Sequence, residues 1–157
     1  MSSSCPLQHC KYQEVIRPVA IVDDGSWTTV SIDTAGYDWC TIVFHLGTSD
    51  IAVAALKVQE SDDDGSSDTY ADVTGTVVGT AVDITGTTSA LPSATDDGQL
   101  VVWHINTRNR ERYLDLVATA GDGTAGSFAS AIAILSQGDH SIDTATLSGV
   151  SHEFVVV

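Results

Sequence analysis

The amino-acid sequence predicts an all-β fold, and two features of its composition predict it. Val, Ile and Thr, which favour strands, are abundant, whereas Lys, Glu, Leu and Met, which favour helices, are scarce. Asp outnumbers Glu by 17 to 4, and most of the 13 glycines stand beside Asp, Ser or Thr. Because the short Asp side chain hydrogen-bonds nearby backbone, this composition is typical of strands joined by many tight turns.

The order of the segments narrows the prediction to a β-sandwich or a jelly roll. Runs rich in β-branched and aromatic residues lie at 26–34, 39–46, 52–60, 81–85, 99–106, 112–120 and 127–135. The connectors between them, such as GDGTAG at 121–126, have the composition of hairpin turns. Short strands alternating with Gly/Asp turns favour these two architectures.

Alternation of apolar residues predicts which face of each strand is buried. The predicted core positions are Cys40, Ile42, Phe44, Leu46, Leu56, Val58, Leu114, Leu116, Ala118, Phe128, Ile132 and Ile134. The segment 99–106 is apolar on both faces, so we predict a central strand covered on both sides.

The two ends of the chain differ from its middle. Residues 14–136 are predicted to form one β-sandwich domain, preceded by a flexible N-terminal arm at 1–13. The best helix candidate, 11–22, is interrupted by Pro18. Residues 137–157 form a C-terminal segment with a terminal strand or arm, which either completes the domain's own sheet or adds to a neighbour's exposed edge.

The charge of the chain excludes several kinds of partner. With 21 acidic and 6 basic residues, the formal net charge is −15. Such a molecule repels phosphate, so we expect no direct nucleic-acid contact and no polybasic docking on anionic lipid. No window is apolar over the length that a membrane helix needs, and the N-terminus lacks the pattern of a signal peptide.

The acidic run at 62–65 suggests a calcium loop, but the specific motif fails. An EF-hand-like frame would use Glu60, Asp62 and Asp64 and would require a Glu where Ala71 stands. A looser carboxylate site that includes Asp68 or Asp72 and a solvated hairpin turn both remain open. We predict no cofactor.

The cysteines and histidines form no recognised catalytic or zinc pattern. Cys40 is expected to be a buried, reduced thiol. Cys5 and Cys10 either close a small loop, join His9 around a metal, or remain free thiols on the arm. His45 and His104 are expected on sheet faces, and no nucleophile elbow, P-loop or dinucleotide fingerprint occurs. We therefore predict that the protein is not an enzyme.

Two groups of residues are candidates for binding a partner. Arg108, Arg110 and Arg112 place three of the six basic residues within five positions of a predicted turn. They form either a solvated hairpin with Glu111 alongside or an anchor for carboxylates of a partner or a neighbouring subunit. The second group is the apolar terminus, represented by Phe154, Val155 and Val156.

Three runs of sequence carry a resemblance to a known group of proteins. LKVQESDDDG at 56–65, YADV at 70–73 and RYLDLVATAGDGTAGSFASAIAIL at 112–135 resemble small structural proteins of tailed bacteriophages. The resemblance covers roughly residues 26–136 and rests on strand-and-turn patterns without a catalytic signature. It implies a virion structural protein, and we expect a decoration (cement) protein on the outer surface of the phage head.

In that role the protein binds the major capsid protein, bridges its subunits and stabilises the shell. We expect a homotrimer at three-fold or quasi-three-fold positions. Its location is then the outer capsid surface of a virion assembled in the bacterial cytoplasm, because an interior position would face packaged DNA. The alternatives are a head-fibre, neck or tail component, or a carbohydrate-binding or adhesion module that would use Trp27, Trp39 and Trp103.

Overall fold

Eight strands arranged in two antiparallel four-stranded sheets make up the computed structural model, which describes residues 9–139, 145–152 and 154. The strands are β1 (Lys11–Ile16), β2 (Ile32–Asp33), β3 (Tyr37–Leu46), β4 (Ala55–Ser61), β5 (Ala71–Asp72), β6 (Leu100–Asn106), β7 (Tyr113–Thr119) and β8 (Ala129–Gly138). A single turn of 3-10 helix, Ala94–Asp96, precedes β6. The all-β sandwich prediction is confirmed, and the jelly-roll topology stays a prediction.

The first sheet has the order β1-β8-β3-β6, and the second has the order β2-β7-β4-β5. The ten-residue strand β3 lies inside the first sheet and pairs along its length with both β8 and β6. In the second sheet, β7 and β4 form the long central pair, while β2 and β5 contribute two residues each at the edges.

One hydrophobic core lies between the sheets. Ile42 and Phe44 of β3 and Leu114 and Leu116 of β7 are all fully buried, as the alternation predicts. The Phe44 ring meets the Trp27 ring edge to face, with 6.1 Å between their centroids. This arrangement confirms the predicted core faces of the segments 39–46 and 112–120.

The predicted core face of 127–135 is wrong. Phe128 and Ile132 are 46% and 45% exposed, and the side chains that point into the core are Ala129, Ala131, Ala133 and Leu135. The physical reason is volume, because Ala131 lies beside Phe44 in register and a small residue there leaves room for the ring. The isoleucines of β8 therefore lie on the outside of the sandwich.

The prediction for 99–106 is also corrected. β6 is an edge strand of the first sheet, opposite to β1, and one of its faces is open to solvent, with Leu100 59% and Val102 42% exposed. Segment 26–34 contributes only the short β2, because most of it meets the sheets through isolated bridges. Segment 81–85 is no strand either; Val82 makes a single bridge to Thr88, and Ile84 is 95% exposed.

The ends of the domain extend further than predicted. β1 begins at Lys11, so residues 11–13 belong to the first sheet, and the first part of the interrupted helix candidate 11–22 is a strand, Lys11–Ile16. β8 continues to Gly138, beyond the predicted limit at 136. Residues 145–152 pack beside β1, where the Tyr12 amide donates to the Ser148 carbonyl at 2.6 Å. Gly149 has a φ of +81° and a side chain there would meet the Tyr12 carbonyl, so this close approach requires glycine.

Candidate binding surfaces

The outer side of the first sheet carries an apolar surface, which we call the apolar face. It consists of six side chains: Val43, Leu100, Val102, Phe128, Ile132 and Ile134. Val43 pairs in register with Val102 on one side and with Ile132 on the other, so these three form a continuous row across three strands. Neighbouring strands lie about 4.8 Å apart, which brings such side chains into contact.

Few charges accompany this surface. The neighbouring row contains Thr41 and His104, whose side chains hydrogen-bond to each other at 3.1 Å. Glu14 at the β1 end of the Ile132 row forms an ion pair with Arg17 at 2.8 Å. His45 and His104 are thus exposed on a sheet face, as predicted. In a chain with a net charge of −15, an exposed sheet face with so little charge is typical of a surface that another molecule covers.

The outer side of the second sheet, which we call the polar face, has a different chemistry. Lys57 of β4 forms an ion pair with Asp72 of β5 at 2.7 Å. Gln59 donates to the same carboxylate at 2.7 Å. These interactions lower the pKa of Asp72, with the hydrogen bond to Lys57 as the largest cause. Lys57, Gln59 and Asp72 therefore satisfy one another as on an ordinary solvated surface, whereas Asp115 of β7, on the same face, keeps one buried oxygen, Oδ1, without a hydrogen-bond partner.

The three arginines of the turn after β6 bind acidic residues of their own chain. Arg108 pairs with Asp38, the second residue of β3, and Arg112 donates two hydrogen bonds to Asp33 at 2.8 and 2.6 Å. The Arg108 and Arg112 guanidiniums hold the pKa values of the Asp38 and Asp33 carboxyl groups below their usual range. The side chains of Arg108 and Arg112 remain 66% and 52% exposed.

Arg110 is the most enclosed of the three. Its Nη1 atom donates to both oxygens of Glu60 at 2.9 Å, and its side chain is 27% exposed. All three arginines therefore tie the turn to strands of the domain, a role that neither sequence hypothesis included. Whether they also anchor a partner stays a prediction.

Acidic residues after β4 are organised by backbone hydrogen bonds. Asp63 accepts from the amides of Ser67 and Asp68 at 2.7 and 2.9 Å, and these bonds lower its pKa. The Tyr70 hydroxyl donates to Asp64 at 2.8 Å, and desolvation, reinforced by this bond, raises the pKa of Tyr70 to about 12. Asp64 is thus a turn residue, whereas the calcium frame would have used it as a ligand.

Carboxylate oxygens of Asp62, Asp68 and Glu111 lie within 4.8 Å of one another. Burial raises the pKa of the Glu111 carboxyl group, and the neighbouring Asp68 and Asp62 raise it further. Glu60, which the EF-hand-like frame would have used, pairs with Arg110, and Asp72, which the looser carboxylate site included, pairs with Lys57. Sequence reasoning missed Glu111, since only the fold brings it beside the acidic turn.

Two of the three cysteines lie in the described part of the chain. Cys40 is fully buried, and desolvation raises the pKa of its thiol to about 12, as expected of a reduced core thiol. Cys10 is also buried, at 2% exposure, and therefore does not lie on a mobile arm. Cys5 lies outside the described residues, so a small loop closed by Cys5 and Cys10, or a metal site that joins them with His9, stays a prediction.

Tryptophans are poorly placed for a glycan platform. Trp27 and Trp103 are only 5% and 8% exposed, and the Trp103 indole donates to the Thr76 carbonyl at 3.0 Å. Trp39 is half-buried on the outer side of β3. Two of the three candidate aromatics are therefore core residues, which leaves too few for a stacking surface.

The C-terminal candidates are described only in part. Phe154 is 83% exposed and its ring stacks on His152, with 6.2 Å between centroids. Val155 and Val156 lie outside the described residues, so a terminal strand that includes them stays a prediction. No helix in the described part of the chain is long and apolar enough to cross a membrane.

Comparison with known proteins adds no relative. No family model, curated protein or solved structure matches the chain.

Proposed function

We propose that this protein is a virion structural protein, a decoration protein that binds the outer surface of a phage head. It bridges subunits of the major capsid protein and stabilises the shell, and it carries no catalytic activity. The proposal rests on the resemblance of the segments at 56–65, 70–73 and 112–135 to phage structural proteins. The structural observation that carries it is the apolar face, which offers a binding surface without an enclosed site.

The apolar face suits attachment to a large, flat partner. Leu100, Phe128 and Ile132 are each about half exposed, so covering them removes apolar area from water. The surface is a sheet face that three paired strands hold rigid, and a rigid surface loses little conformational entropy on binding. The polar face, on the opposite side of the sandwich, then remains in contact with solvent.

Charge favours the exterior of the head. A net charge of −15 opposes a position against packaged DNA, whereas an outer position leaves the acidic turns in solvent. We also propose that the protein is a homotrimer, because a symmetric trimer places three apolar faces on one local three-fold axis of a shell. Light scattering coupled to size exclusion measures this state directly.

The test is co-sedimentation with heads of the phage that encodes the protein, purified without it. The double variant Val102→Thr/Ile132→Thr keeps β-branched residues on the strands and removes two apolar contacts. We expect it to bind heads at least about tenfold more weakly than the wild type. The matched control is Val117→Thr, which makes the same kind of change on the polar face and should leave binding unchanged.

Three results would overturn the proposal. Wild-type protein that fails to sediment with heads contradicts it, and so does binding to isolated tails alone, which would favour a neck or tail component. Equal binding by the double variant and the control would show that the apolar face does not attach the protein to the head. Thermal unfolding of all three proteins shows whether any loss reflects misfolding.

A further inference from the structure

A second candidate site lies along the edge of the first sheet. A cleft of about 830 Å³ runs beside β6, with the loop at 73–89 as its opposite wall. Trp103 lies between them, and its indole, which donates to the Thr76 carbonyl at 3.0 Å, joins strand to loop. Because six consecutive residues of β6, Val101 to Asn106, line the cleft, the cleft follows the edge of the strand and not one of its faces.

The hydrogen-bonding pattern of β6 shows which groups face the cleft. The Thr107 amide donates to the Asp38 carbonyl at 2.9 Å, and hydrogen-bonded pairs alternate along an antiparallel ladder. Odd-numbered residues of β6 therefore bond to β3, and the amides and carbonyls of Val102 and His104 point away from it. Within the described residues, β6 pairs with β3 alone, so these groups form an unpaired strand edge at the cleft wall.

The opposite wall presents apolar side chains on a rigid loop. Val82 and Ile84 line the cleft and are 62% and 95% exposed. Between them, Asp83 accepts hydrogen bonds from the Thr85 hydroxyl at 2.6 Å and from the Thr87 amide and hydroxyl at 3.1 and 3.0 Å. The carboxylate thus fixes the loop in the shape that exposes its two apolar neighbours.

Positive charge marks one end of the cleft. Arg108 and Arg110 line it beyond Asn106, the last residue of β6. Arg110 is held on both oxygens of Glu60, whereas the Arg108 side chain is 66% exposed and engages Asp38 through Nη2. A guanidinium has five donors, so Arg108 retains donors for a further carboxylate.

We propose that this cleft binds an extended peptide segment of a partner protein, which adds to β6 as a fifth strand of the first sheet. The backbone of the segment pairs with Val102 and His104, and its alternate apolar side chains contact Val82 and Ile84. An acidic residue at the end beside Asn106 pairs with Arg108. This inference does not rest on a phage role, because an unpaired strand edge selects for an extended backbone in any setting.

The test begins with a yeast-displayed library of random octapeptides, selected against the intact protein. We expect the enriched peptides to alternate apolar residues and to carry an acidic residue near one end. Added to ¹⁵N-labelled protein, synthetic versions should slow hydrogen exchange of the Val102 and His104 amides and leave the amides of β4 unchanged.

A pair of substitutions at one position isolates the backbone. Both His104→Ala and His104→Pro remove the imidazole, but only proline removes the outward N–H, at an edge position where proline is tolerated. We expect His104→Pro to weaken peptide binding roughly tenfold relative to His104→Ala. Arg108→Gln should weaken binding of acidic peptides and leave their amide counterparts, with Asn or Gln at that end, unchanged.

The proposal is overturned if no peptide enriches, or if the enriched peptides change exchange elsewhere on the protein. It is also overturned if His104→Pro, folded by its thermal transition, binds as well as His104→Ala. If the proline variant does not fold, the exchange protection of Val102 and His104 in the wild-type protein decides the question alone.

Discussion

The two outer sides of the sandwich differ in how they meet solvent. On the polar face, Lys57, Gln59 and Asp72 satisfy one another in a network of contacts at 2.7 Å. On the apolar face, Val43 lies between Val102 and Ile132, and the nearby polar groups are mainly the Thr41–His104 pair. Both faces belong to sheets with similar inner cores, so the difference is not needed to form the fold.

This difference between the two faces indicates where the protein binds a partner, which no single residue does. A solvated sheet face gains nothing from exposed Ile and Phe, whereas a face that docks on a partner does. Polar residues are not scarce in this chain, which has 21 acidic side chains, yet the outer side of the first sheet carries apolar ones. The contrast between the faces therefore supports a binding role for the first sheet.

The largest effect compares the same truncation on the two sides of the first sheet. Ile42→Ala removes a fully buried side chain and should cost about 2–5 kcal/mol of unfolding free energy. Ile132→Ala, on the neighbouring strand but 45% exposed, should cost less than about 1 kcal/mol. Urea denaturation measures both. Equal losses would contradict the assignment of the isoleucines of β8 to the outside.

Enlarging a buried alanine tests the same strand from the inner side. Ala133 is fully buried and pairs in register with Ile42, so Ala133→Ile should overpack the core and cost about 1–3 kcal/mol. Ser130→Val, on the outer side of β8, adds volume into solvent and serves as the control. A neutral result for Ala133→Ile would mean that the sheets leave more room than the described core shows.

A smaller effect of opposite sign is expected at Asp115 on the polar face. Burial raises the pKa of its carboxyl group, and one oxygen, Oδ1, is buried without a hydrogen-bond partner. Since the folded-state pKa lies above the unfolded value, ionisation costs stability at neutral pH, and the cost disappears as pH falls below the unfolded pKa. Asp115→Asn should therefore raise stability at pH 7 by less than about 1 kcal/mol.

The control for Asp115→Asn is the same denaturation measurement on wild type and variant at low pH. At a pH below the unfolded carboxyl pKa, wild type and variant should unfold at the same denaturant concentration, because both side chains are then neutral. A stabilisation that persists unchanged into acid would have a cause other than charge.

The smallest effect concerns the ion pair of the polar face. Lys57→Ala removes the partner that lowers the pKa of Asp72, whose contribution is present above the unfolded pKa and is lost as pH falls through the lowered folded value. Exposed ion pairs are screened by solvent and contribute little to stability, so we expect a small loss at pH 7 that shrinks in high salt. Thermal unfolding at two salt concentrations measures it, and a loss independent of salt would contradict the electrostatic cause.

Period-two alternation predicted the sheets well where one face was polar. β7 alternates Leu114 and Leu116 with Asp115, and the structure buries the leucines. β8 alternates alanines with larger apolar residues, so both of its faces are apolar and the alternation does not indicate which one is buried. The prediction that the larger residues face the core was wrong. The alanine face of β8 is buried because the ring of Phe44, on the adjacent strand β3, needs a small side chain beside it, which Ala131 provides.

The contacts at the candidate sites could not be predicted from the sequence, because they join residues that are far apart along the chain. Arg108, Arg110 and Arg112 bind acids 70, 50 and 79 positions away, and no local pattern indicates such pairs. The cleft at β6 depends on that strand being an edge, whereas its doubly apolar sequence predicted a central position. Edge position is a property of sheet order, which pairing between distant segments decides.

Cryo-electron microscopy of phage heads incubated with the purified protein shows which side of the sandwich meets the shell. If the apolar face is the docking surface, we expect additional density on the outer shell surface, fitted by the sandwich with Val102, Phe128 and Ile132 against the capsid and the polar face outward. Density with Lys57 and Asp115 against the shell, or heads without additional density, would contradict it.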